Sequence, residues 1–139
     1  MKNSNEGVPN NLFELLKNAE DFEVWFLDSN LNKDIFNFKS EFVDFQPNQA
    51  NKNVSHELKE DLIDAFLKDV EKGGEAHRCW IPQHGIRTIY KNQLVEIAIC
   101  FLCGWYRGQV FEEEFYGTFP NEEESQSKII FDKIKAEIK

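Results

Sequence analysis

Two long apolar segments separated by only three residues constrain this chain more than any other feature. Residues 78–90 (RCWIPQHGIRTIY) and 94–106 (LVEIAICFLCGWY) flank Lys91-Asn92-Gln93, and a β-hairpin is the economical way to join them. The second segment is apolar on both faces apart from Glu96, the pattern of a central strand covered by helices.

A helix able to provide that cover is written into residues 56–72. Leu58, Leu62, Ala65, Phe66 and Asp69 fall on one stripe, which Ile63, Leu67 and Val70 widen. Ser55 supplies an N-cap oxygen, Glu57 sits at the positive end of the helix dipole, and Gly73-Gly74 ends the helix. A second helix is expected near the C-terminus, where Ile130, Ile134 and Ile138 recur every four residues behind Glu122, Glu123 and Glu124. Leu12, Phe13, Leu15, Leu16 and Ala19 predict a short helix from Asn11, and the aromatic and β-branched residues between Phe22 and Leu27 predict a strand. Further strands are expected over residues 35–45 and 109–119, with a polar loop between Gln46 and Asn53. The fold class is therefore α+β. A mostly antiparallel sheet is built around the 78–106 hairpin and covered by helix 56–72 and the C-terminal helix. Residues 1–10 read as a flexible tail, and residues 11–139 as one domain.

Composition narrows the function classes. Acidic residues outnumber basic ones 25 to 16, a net charge of −9, which disfavours nucleic acid and anionic membranes and suits a basic protein partner. No secretory h-region precedes Pro9, and the longest apolar run, from Ile97 to Cys103, is too short to span a bilayer. Three cysteines without an export signal point to reduced thiols in the cytoplasm.

Those cysteines fall in the hairpin as C-x4-H-x15-C-x2-C: Cys79, His84, Cys100 and Cys103. Thiolates and an imidazole are the ligands of tetrahedral zinc, the one cofactor that the sequence suggests. Strand geometry opposes a shared ion. With Tyr90 opposite Leu94, His84 faces Cys100; a register one residue different groups His84 with Cys103 and Cys79 with Cys100, and neither gathers all four. A free cysteine in an apolar strand is most often a small core residue. The third reading is a redox or nucleophilic thiol at Cys100 or Cys103, with His84 as a cross-strand base.

All three arginines, Arg78, Arg87 and Arg107, also lie within residues 78–107, a stretch of net charge +3. Convergence of Arg87, Arg107 and His84 would make an anion- or partner-binding pocket, and the plainer expectation is pairing with Glu96 and neighbouring acids. His56 and His77 are expected in solvent, Glu112–Glu114 and Glu122–Glu124 on a solvated surface, and Trp25, Trp80 and Trp105 in the core.

The segment from Cys79 to Arg87, followed by Ile99-Cys-Phe-Leu-Cys103, resembles a group of small bacterial proteins of unassigned activity. In that group a C-x-x-P-x-H-G-[IL] strand precedes an I-C-F-x-C strand. The resemblance covers residues 77–107 and implies a shared hairpin and a bacterial source, with no catalytic role carried over to any residue.

The absence of phosphate-loop, dinucleotide and hydrolase motifs leads to a non-enzymatic interaction protein, for instance an immunity-type inhibitor with a basic partner. A zinc-binding module and a thiol-dependent enzyme or redox protein are the alternatives.

Overall fold

A computed structural model describes residues 12–26, 50–76, 83–110, 113–121 and 123–137. The chain runs α1 (Leu12–Asn18), β1 (Glu20–Phe26), β2 (Ala50–Asn51), α2 (His56–Lys72), β3 (His84–Tyr90), β4 (Gln93–Cys100), β5 (Trp105–Val110), β6 (Glu113–Thr118) and α3 (Gln126–Lys135). The six strands among the described residues form one antiparallel sheet in the order β2-β1-β3-β4-β5-β6, so the architecture is α+β as expected. The expected tail, the strand over residues 35–45, His77, Arg78, Cys79, Trp80 and Ile138 lie outside the described residues.

The hairpin that dominates the sequence is present, but tighter. Tyr90 pairs with Gln93, not Leu94, because Lys91 (φ 50°) and Asn92 (φ 64°) both occupy the left-handed region. That is a two-residue turn whose twist matches its strands. The second segment is not one strand. It stops at Cys100, turns through residues 101–104 and resumes as β5, with Cys100 paired to Trp105. Phe101 and Leu102 are as apolar as their neighbours and hide the turn, whereas Gly104 (φ 78°) marks it. The expected strand over 109–119 likewise divides into the end of β5 and the whole of β6. The loop expected at 46–53 contains the short edge strand β2.

Helix α2 has its expected ends. Ser55 Oγ accepts from the Leu58 amide, and Gly73 (φ 66°) closes the C-terminus by donating to the Asp69 carbonyl. Its stripe packs on Val24, Phe26, Ile86, Ile97, Ile99 and Tyr106, which all point to one face of the sheet. Phe66 meets the rings of Tyr106 and Phe119 edge-on, each with centroids 5.3 Å apart. Burial there pushes the Tyr106 phenol well above its ordinary pKa.

α3 is fastened to α2 by a buried carboxylate. Asp69 accepts from Ser125 Oγ at 2.6 Å, from the backbone amides of Gln126 and Ser127 at 2.9 Å each, and from Ser127 Oγ. These are first-turn donors of α3, so a side chain on one helix caps the next. Ser125 Oγ adds the local cap by accepting from the Lys128 amide. The buried face of α3 is Ser127, Phe131 and Ile134, with Ile130 at its margin.

Candidate functional site

Cross-strand register assigns every hairpin side chain to a face. The row Phe26–His84–Ile99–Tyr106 points toward the helices, as does Val24–Ile86–Ile97–Gly108–Phe115. The opposite face carries the rows Trp25–Gly85–Ala98–Arg107–Tyr116, Glu23–Arg87–Glu96–Gln109–Glu114 and Cys100–Trp105–Thr118. His84 is therefore separated by the sheet from Cys100, Arg87 and Arg107. Of the two registers open to the sequence, the one that parts His84 from Cys100 is adopted.

His84 lies inside an aromatic cluster. Its ring stands 5.8 Å from Phe26, 5.1 Å from Phe101 and 4.9 Å from Phe131, measured between centroids. Nδ1 has no hydrogen-bond partner among the described residues. Burial lowers the pKa to about 4; Lys128 and Lys135 on α3 push the same way and Asp132 opposes them. His84 is thus a neutral core histidine and not a base for the thiols. Because the folded value lies below the ordinary 6.5, the unfolded chain binds the extra proton. The stability this neutral ring provides is complete above pH 6.5 and is lost as pH falls toward 4, a loss on the order of 3 kcal/mol. His84→Leu is expected to flatten the stability profile between pH 6.5 and 5, read from urea melts. An unchanged slope would contradict the assignment.

The arginines of the outward face are engaged with neighbouring side chains. Arg87 Nε lies 3.4 Å from Glu96 Oε2, and its guanidinium sits 5.7 Å from the Trp25 ring centroid. Trp25 in turn donates to Glu23 Oε1 at 2.8 Å. Arg107 lies 6.0 Å from the Trp105 ring centroid. The plainer expectation, pairing with Glu96, holds for Arg87, and the pocket that would join Arg87 and Arg107 to His84 does not form. Trp25 is buried as expected, Trp105 is half-buried, and His56 is exposed at the start of α2.

Chemistry concentrates in the turn after β4. Cys100 and Cys103 are joined by a disulfide, with their Cα atoms 5.1 Å apart. The Cys103 amide donates to Cys100 Sγ at 3.1 Å, and the Gly104 amide donates to the Cys100 carbonyl at 2.9 Å. Three residues of separation across a tight turn bring together two side chains that a continuous strand would have sent to opposite faces. Phe101 turns inward and stacks on Phe119 at 5.5 Å and 7°, while Leu102 is 58% exposed. The two cysteines are 1% and 0% exposed. Beside the turn a cleft of about 370 Å³ opens between Gly73–Gly74, Leu102, Pro120 and Asn121, with the Lys72–Glu124 ion pair at its rim.

Among the described residues no three His, Cys, Asp or Glu side chains gather to hold a metal ion. His84, Cys100 and Cys103 therefore do not converge as the expected zinc ligands. No described helix is long and apolar enough to cross a membrane. The chain matches no family model, no curated protein and no solved structure.

Proposed function

We propose that this is a thiol–disulfide protein in which Cys100 and Cys103 cycle between dithiol and disulfide. The observation that carries this reading is the closure of the C-x-x-C pair within a single hairpin turn, with a backbone amide aimed at one of the two sulfurs. A C-x-x-C pair held this way closes an intramolecular disulfide without moving the strands that flank it, and an amide donor favours a thiolate in the reduced form. Both cysteines are buried in the disulfide form, so exchange with an external disulfide requires the 101–104 turn to open.

The pair must behave as a unit. In a Cys79→Ser chain, reduced protein treated with glutathione disulfide is expected to close its own disulfide and retain no adduct. Chains that also carry Cys100→Ser or Cys103→Ser are expected to retain glutathione on the remaining sulfur, read by intact-protein mass. Two inert thiols over hours would sink the reading.

The acidic surface supports a second proposal, binding of a basic partner. Glu113 and Glu114 are exposed on the edge strand β6 beside Tyr116, an arrangement open to strand addition by a basic segment. Capture that does not weaken as salt rises would remove it. The thiol pair offers the more specific chemistry and ranks first.

A further inference from the structure

We infer that the free edge of β6 takes an extended basic segment as an added antiparallel strand, and that Glu113 and Glu114 select a segment with two adjacent cations. The inference deepens the second proposal above, binding of a basic partner, and rests on it.

The sheet ends at β2 on one side and β6 on the other. β2 is only 2 residues long, whereas β6 presents 6. The direction of each β6 backbone group follows from one hydrogen bond. The Phe119 amide donates to the Gly104 carbonyl at 2.8 Å, which makes Phe119 and Gly104 a hydrogen-bonded pair in continuation of the β5–β6 register. Such pairs alternate along an antiparallel ladder. Gly117, Phe115 and Glu113 therefore bond to β5, and Glu114, Tyr116 and Thr118 turn their N–H and C=O groups away from it. Among the described residues nothing bonds to the β6 backbone on that side.

The first half of this edge is accessible. Glu113 and Glu114 are exposed, and Tyr116 is 51% exposed. The far end is occupied, because the Gly74 amide donates to Thr118 Oγ1 at 3.3 Å and Gly74 packs against the Phe119 carbonyl. An added strand thus centres on Glu114 and Tyr116, each of which exchanges two backbone hydrogen bonds with the residue set opposite.

Side chains dictate what the segment carries. Glu114 and Tyr116 stand on the outward face of the sheet, and Glu113 starts the strand on the other. Neither carboxylate has an ion pair among the described residues. A cation opposite each gains a cross-strand pair, and a β-branched or aromatic residue opposite Tyr116 covers its ring. In the antiparallel sense the segment reads, from its N-terminus, one such apolar residue, any residue, then two cations. The chain's net charge of −9 draws that segment in. A second copy of this chain is a poorer occupant, since β6 carries no cation to set against Glu113 and Glu114.

The test uses the full-length, isotope-labelled chain and a blocked hexapeptide, Thr-Ser-Val-Thr-Arg-Arg, followed by amide exchange and titration. At saturating peptide the Glu114 and Tyr116 amides are expected to exchange with solvent about tenfold more slowly or better, and affinity should fall as salt rises. Glu113→Lys/Glu114→Lys should weaken binding about tenfold or more. A peptide with two glutamates in place of the arginines should bind that variant about as well as the arginine peptide binds the wild-type chain. Salt-dependent binding that leaves the two amides unprotected would overturn the added strand and leave the basic-partner reading standing. No binding at all would sink both, and would leave Glu113 and Glu114 as charges that keep the edge unpaired. Protection that grows with protein concentration in the absence of peptide would make a second copy the occupant and overturn the inference.

Discussion

Asp69→Ala is expected to cost about 3–5 kcal/mol, a large share of the roughly 5–15 kcal/mol that holds an ordinary domain together. Asp69 is 1% exposed and takes hydrogen bonds from two hydroxyls and two backbone amides. Removing the carboxylate strands those donors where water cannot reach them, and it deprives the positive end of α3 of its counter-charge. Asp69→Asn should fare little better, because an amide nitrogen would face donors. Ser127→Ala removes one hydroxyl donor and leaves the carboxylate its other partners, so it should cost only about 1 kcal/mol. Urea melts would show the difference, with the Asp69→Ala midpoint lower by about 2 M at the urea sensitivity usual for domains of this size. A loss below about 1 kcal/mol would mean that α3 docks by its apolar face alone.

Gly104→Ala is the second large effect, and it acts at the thiol site. Gly104 adopts φ 78°, and an added Cβ would stand 2.3 Å from the Glu75 carbonyl oxygen. The obstacle is backbone, so no side-chain rotation relieves it. The segment behind it is tied down: the Gly74 amide donates to Thr118 Oγ1 at 3.3 Å, and the Phe119 amide donates to the Gly104 carbonyl at 2.8 Å. Left-handed strain and overlap together are expected to cost about 3 kcal/mol, roughly 10 °C in Tm. Because the strain falls on the residue after Cys103, the disulfide of the variant should also be reduced faster by a small thiol. A wild-type Tm together with a wild-type reduction rate would show that the turn is not held against Glu75.

Much of the fold was legible, for reasons that can be named. Helix α2 has a cap, a stripe and a glycine stop that agree with one another, and its limits were readable to the residue. The sheet around the central hairpin followed from apolar run lengths and the short connection. The turn at 101–104 was hidden because Phe101 feeds the core and so resembles strand, although the C-x-x-C-Gly spacing carried the signal. Position 69 was visible as part of a stripe, but its role depends on Ser125 and Ser127, more than fifty residues later in the chain. An acid on an otherwise apolar stripe was the clue that a distant donor set was needed.

The candidate site was legible as a set of residues, with its arrangement left open between two registers. Cys100, Arg87 and Arg107 do share the outward face of the sheet, with Cys103 bonded to Cys100 from the turn, whereas His84 is turned inward by the parity of β3. A one-residue change in turn length decides that parity, and composition cannot report it. Left–right placement on a sheet was therefore the part that only the register could supply.

The most direct test of the account is the reduction potential of the Cys100–Cys103 pair, measured in Cys79→Ser protein equilibrated against graded glutathione buffers and read by mass. A midpoint between about −180 and −270 mV is expected, the range of C-x-x-C pairs that exchange electrons with thiol pools. A midpoint below about −300 mV would make the bond a structural staple and contradict the proposed function.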